Sequence, residues 1–141
     1  MKKLTVTNYK HDKLYPKVVK AVGQLLQEKN EISTVDVILK IGNITPKDYE
    51  NWRRGKVPYL ERVFQGSLSK AGRMLKVINF HMHDLNMIKY EKPMKVLNGK
   101  TFLRYSKSGL KKLEKDYSRS FKWNRSEEVK KEVIENSTKT L

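Results

Sequence analysis

From Leu60 to Leu85 the apolar residues return every third or fourth position, at Leu60, Val63, Phe64, Leu68, Ala71, Met74, Leu75, Ile78, Met82 and Leu85. That period draws one apolar stripe along a helix, and so long a stripe must be covered by other elements before the chain is stable. The sequence therefore predicts a fold organised around one long central helix that opens after Pro58. Gly66 and Gly72 fall inside the pattern, and a glycine within a helix costs about 1 kcal/mol relative to alanine, so the pattern admits a break near Gly66-Ser67.

The elements around this helix announce themselves by their ends. Val18, Val19, Val22, Leu25 and Leu26 keep helical spacing behind Pro16, which predicts a helix from about Pro16 to Glu28. Ser33-Thr34-Val35-Asp36 offers a hydroxyl cap with an acid three residues on, and predicts a short helix ending near Gly42. Thr45-Pro46 repeats the start signal for a third helix, with Tyr49 and Trp52 on one side and a stop at Gly55. After Pro93 the period changes. Met94 and Val96, then Phe102, Leu103 and Tyr105, flank Asn98-Gly99, the dipeptide best suited to a type I′ hairpin. Two short strands are expected there, then a turn at Ser106 to Gly109 and a helix carrying Leu110, Leu113 and Tyr117.

At 141 residues the chain fits one domain. The expected architecture is mainly α: a compact helical domain over residues 1 to 124 with a helix-turn-helix-like core, the long central helix and a small C-terminal β-hairpin. Residues 125 to 141 balance Arg125, Lys130, Lys131 and Lys139 against four glutamates, and read as a polar tail, frayed or helical. The excess charge thus lies in the body. It is large: 31 Lys+Arg against 15 Asp+Glu, a net +16. Such a chain seeks polyanions, because each neutralised phosphate releases condensed counterions. Nucleic acid, DNA or structured RNA, is the expected partner, with an acidic protein bound by an adaptor as the alternative.

Cysteine is absent, which removes disulfides, thiolate metal sites and cysteine nucleophiles. The N-terminus has lysines but no apolar run behind them, and no stretch approaches the roughly 20 apolar residues of a membrane span. A cytoplasmic protein with no membrane partner is expected. No catalytic triad, paired-carboxylate site or dinucleotide fingerprint occurs, so neither an enzyme activity nor a cofactor is expected.

Residues 33 to 63 read as helix, turn, helix, then Trp52-Arg53-Arg54-Gly55-Lys56-Val57-Pro58 and the start of another helix. This stretch resembles the helix-turn-helix of phage-repressor-like regulators, with a turn at Gly42 to Thr45 one residue longer than that family's pattern. A helix capped by Thr45 and bearing Lys47, Asn51, Arg53 and Arg54 could face a groove while Tyr49 and Trp52 anchor it. Arg53, Arg54, Lys56, Arg62, Lys70 and Arg73 are expected to form one basic face. The whole chain also resembles an uncharacterised group of small bacterial proteins, on the strings Trp52 to Arg62, Phe80 to Leu85 and Arg104 to Gly109. That resemblance implies a shared fold and brings no activity with it.

Three further constellations bear on function. The hairpin lysines Lys92, Lys95 and Lys100 with Arg104 could act as a basic wing, and Phe102 or Tyr105 could stack on an unpaired base, although alternation buries one of the two rings. Arg104 to Gly109, with Lys107, is rich in hydroxyls and cations ahead of a helix and could hold a phosphate; its plainer reading is a turn with a helix cap. His81, His83 and Asp84 would be the centre of a small metal-dependent hydrolase. Positions two apart on a helix point about 200° from each other, so no metal is expected.

Overall fold

The computed structural model describes residues 4–139, and the first three predicted helices begin where Pro16, Ser33 and Thr45-Pro46 announced them. After a 3-10 turn at Tyr9–His11, α1 runs Tyr15–Glu28 with Pro16 in its first turn. Ser33 caps α2, Thr34–Ile41: its hydroxyl accepts from Asp36 N while the Asp36 carboxylate accepts from Ser33 N, both at 2.9 Å. Gly42 ends that helix at φ 101°, a left-handed conformation that costs glycine little. Thr45 caps α3, Pro46–Arg53, accepting from Asp48 N at 3.1 Å.

The long pattern divides at its glycine. A 3-10 turn covers Leu60–Val63, Gly66 stands at φ 140°, and Ser67 then caps α4, Leu68–Asp84. Gly72 is carried inside α4. Lys111–Ser118 forms α5 and Glu127–Lys139 forms α6, so the charge-balanced C-terminal stretch is helical rather than frayed. It is also docked: Val129, Val133 and Ile134 pack on the core, and buried Lys130 donates to Asn30 Oδ1 at 2.6 Å.

The sequence did not predict the sheet. Glu31–Ser33 (β1), Ile88–Glu91 (β2) and Arg119–Lys122 (β3) make a three-stranded antiparallel sheet in the order β1-β3-β2. Phe121 of β3 faces Ile32 across one pairing and Lys89 across the other. At Asn98-Gly99, where two strands were expected, the chain turns with Asn98 at φ 59° and is closed by a single antiparallel bridge, Lys95 to Phe102. The flanks are joined by Val96 N to Thr101 O at 2.9 Å and Leu103 N to Met94 O at 2.8 Å, while Leu97 N donates away from the turn to Arg53 O at 2.8 Å.

The core is continuous. α1 lies against α2, α4 and α6, and α2 against α4 and α5. Val18, Val22, Leu26, Ile38, Trp52, Met74, Ile78 and Met82 are all fully buried within it. No helix among the described residues is long and apolar enough to cross a membrane.

Candidate nucleic-acid interface

Helix α3 and the segment from residue 94 to 107 form one surface because the backbone ties them together. Trp52 is fully buried, and its indole N–H donates to Arg104 O at 2.8 Å. The same carbonyl accepts from Leu60 N at 3.1 Å, and Tyr105 O accepts from Glu61 N at 2.9 Å. Tyr105 sits between Trp52, tilted at 54° with 5.1 Å between ring centroids, and Tyr117, stacked at 6.0 Å. Burial pushes the Tyr105 hydroxyl up to about 12. Neutral at ordinary pH, it accepts from Met94 N at 3.1 Å. The loop at Asn98-Gly99 thus leaves a fixed base.

Its two aromatic rings divide as alternation requires. Tyr105 is 2% exposed and Phe102 is 61% exposed. The Lys95 ammonium lies 5.1 Å from the Phe102 centroid, a cation held over an open ring. Lys100 and Lys107 are exposed and take part in no ion pair among the described residues, as are Lys47 on α3 and Lys56 just beyond it.

The arginines behave differently. On α3, positions Lys47, Glu50, Asn51 and Arg54 share the outward side by helical spacing. Arg54 is clasped there by Glu50, at 2.6 Å from Nη2 and 3.2 Å from Nε. Arg53 points away from them, into a cleft beside Tyr49 and Met94. Arg104 folds back on its own turn: Nε donates to Ser106 O at 2.9 Å, Nη2 donates to Lys107 O, and the guanidinium covers Tyr59 at 5.7 Å.

The basic face expected from Arg53, Arg54, Lys56, Arg62, Lys70 and Arg73 is therefore divided. Lys70 and Arg73 join Lys13 and Lys17 around a separate cavity of about 380 Å³ at the start of α4, and Arg73 is paired with Asp12 at 2.7 Å. Arg62 is exposed on the 3-10 turn between the two groups. Lys13 and Lys17 carried no signal in the sequence, because their nearness to Lys70 comes from packing α1 on α4.

The hydroxyl-rich turn at Ser106 to Gly109 is already filled. Glu114 accepts from Tyr105 N at 2.9 Å and from Ser106 N at 2.6 Å, and Glu61 accepts from Lys107 N at 2.7 Å. Ser106 Oγ accepts from Gly109 N at 3.0 Å. N–H groups a phosphate would need are taken by two carboxylates of the protein itself, and although α5 follows, its N-cap Leu110 makes no side-chain cap bond, so the turn is not a helix cap either. The phosphate cradle is set aside.

His81, His83 and Asp84 do not converge. His81 is 7% exposed, edge-on to Tyr15 at 5.9 Å, and burial pushes its imidazole down to about 4. His83 faces outward, and Asp84 accepts from the Tyr9 hydroxyl. Among the described residues no three His, Cys, Asp or Glu side chains gather where one ion could be held.

Comparison of the chain with protein-family models, with curated proteins and with solved structures finds no match. The functional reading therefore rests on the surface itself.

Proposed function

We propose that the protein binds nucleic acid, DNA or structured RNA, mainly through phosphates, along the surface made by α3 and residues 94 to 107. The observation that carries this reading is the set of exposed cations on that surface with no carboxylate partner among the described residues: Lys47, Lys56, Lys95, Lys100 and Lys107. Charges already paired within a protein release few counterions on binding, whereas unpaired ones exchange their ion atmosphere for phosphate. In this reading α2 and α3 serve as a helix-turn-helix pair, α3 offering Lys47 and Asn51 to a groove, and the loop at Asn98-Gly99 serves as a basic wing. Phe102 supplies a face on which an unpaired base can stack, a contact typically worth about 1–3 kcal/mol.

Fluorescence anisotropy of labelled duplex DNA, hairpin RNA and single-stranded DNA, titrated at several salt concentrations, tests the proposal. On duplex DNA, log affinity should fall against log salt with a slope of about −0.9 per phosphate contacted. Lys95→Ala with Lys100→Ala should weaken binding and make the slope shallower by about two, since each lost phosphate contact removes about one. Phe102→Ala should weaken the single strand selectively. A salt response that is flat, or binding indifferent to all three changes, overturns the reading.

A further inference from the structure

Arg53 occupies an unusual electrostatic position. The cleft it lines, about 690 Å³, lies between the start of β1, helices α2 and α3, and the chain leaving β2. That volume falls within the roughly 300–1,000 Å³ typical of small-molecule sites. The other charged groups lining the cleft are matched: Lys29 pairs with Asp36 at 2.9 Å and Lys92 with Glu31 at 3.1 Å. Among the described residues no carboxylate lies within 4.0 Å of Arg53. Its Nη1 reaches the Tyr49 hydroxyl at a long 3.4 Å, and its Nε is buried with no acceptor among the described residues. A buried donor without an acceptor is costly, more so on a charged group, and it leaves this guanidinium short of acceptors at the cleft wall.

The surroundings of the guanidinium define the remainder of the site. Tyr49, Pro93 and Met94 give it an apolar side. The Tyr49 hydroxyl is turned to Met94 Sδ at 3.8 Å. Arg53 itself is rigidly placed, because its carbonyl is fixed by Leu97 N and its helix by the buried Trp52. We infer that this cleft is a binding site for a small organic anion, one carboxylate or phosphate group on a flat or apolar body, with Arg53 as its counter-ion. The anionic oxygens meet the side of the guanidinium that lines the cleft, and the body lies against Tyr49, Pro93 and Met94. The inference stands apart from the nucleic-acid reading, whose cations lie outside the cleft.

The test uses the full chain and four probes: phenyl phosphate, benzoate, inorganic phosphate and neutral benzyl alcohol. Each is titrated while the amide and arginine Nε–H resonances are followed by NMR. Phenyl phosphate or benzoate should move the Arg53 Nε–H signal and the amides of Tyr49 and Met94, and should bind more tightly than inorganic phosphate or benzyl alcohol. Arg53→Gln should weaken that binding at least about tenfold, as expected for losing a charge-assisted hydrogen bond, while Arg53→Lys, which keeps the charge, should retain part of it. A second variant guards against an Arg53 change that fails to fold: Pro93→Glu, at an exposed position of the cleft wall, sets a carboxylate beside the anion and should weaken phenyl phosphate and benzoate binding, and undiminished binding there overturns the proposal. Equal response to benzyl alcohol, or phenyl phosphate binding unchanged in folded Arg53→Gln, overturns the proposal. Displacement of phenyl phosphate by a short single-stranded oligonucleotide also overturns it, because the cleft would then hold a phosphate of the nucleic acid.

Discussion

The indole N–H of Trp52 reaches across 52 residues of chain to the backbone carbonyl of Arg104, at 2.8 Å. One buried side chain thus joins α3 to the segment that carries the exposed cations and Phe102.

Trp52→Ala should therefore destabilise the protein by about 3–5 kcal/mol, the usual cost of truncating a buried tryptophan. Trp52→Phe should cost less, since much of the ring contact with Tyr105 survives and the Arg104 carbonyl still accepts from Leu60 N. Urea unfolding of both variants measures the difference. Unfolding of Trp52→Ala at the wild-type midpoint would contradict the buried position.

Glu50 neutralises Arg54 on the outward side of α3. Exposed pairs of this kind contribute about 0–1 kcal/mol to stability, so Glu50→Gln should leave thermal unfolding nearly unchanged. It should also raise duplex affinity and steepen the salt slope, by freeing one arginine and removing one repulsive charge. Anisotropy titrations read both quantities. An unchanged slope would mean that this side of α3 does not meet phosphate.

His81 makes stability depend on pH in a definite direction. Burial lowers its pKa to about 4, the Asp84 carboxylate offsetting part of the effect and Lys10 adding to it. The unfolded imidazole titrates near 6.5, so between these values the unfolded chain holds the extra proton. The native state is accordingly favoured above about pH 6.5 and loses that contribution as pH falls towards 4, by about 2 kcal/mol at pH 5. Unfolding free energies at pH 7 and 5 should differ by this much more in the wild type than in His81→Leu. Equal pH dependence in the two proteins would place His81 outside the core.

Helix α6 closes on α1 at Gly23. A methyl group there would meet Ser137 Oγ and lie 2.5 Å from Ser137 Cβ. Alanine is the better helix former by about 1 kcal/mol, yet Gly23→Ala should destabilise by about 1–3 kcal/mol through overpacking. Hydrogen exchange should show the amides of α6 losing protection first. Adding Ser137→Gly should restore most of the loss, and a lack of rescue would assign the effect to something other than this contact.

Much of this fold was legible because its helices are bounded by local chemistry. Ser33 with Asp36, Thr45 with Pro46, and Gly42 each act within a few residues of where they stand, and so could be read in order along the chain. The sheet was not legible. Its partners, such as Ile32 and Phe121, are far apart, and three or four residues are too few to show alternation. The candidate site was legible only in part. The turn at Asn98-Gly99 could be read from its dipeptide, but its attachment to α3 through Leu97 N and Trp52 could not, nor could which cations are spent. Arg54 is held by Glu50 one turn away, whereas Arg73 is held by Asp12, 61 residues distant, and the capping of Ser106 by Glu114 depends on how the turn closes.

The strand order β1-β3-β2 sets a timetable for synthesis. Both outer strands bond to β3, and β3 begins only at Arg119. A nascent chain can coil its early helices as they emerge, but Glu31–Ser33 and Ile88–Glu91 have no mate until synthesis has passed Lys122. Sequence-distant pairing of this kind slows folding and leaves strand edges open to other chains in the meantime. Ribosome-stalled chains ending before Arg119 should thus be cut readily by protease, while chains long enough to expose Lys122 and α6 should resist. The polypeptide commits to its native form late, nearly all at once.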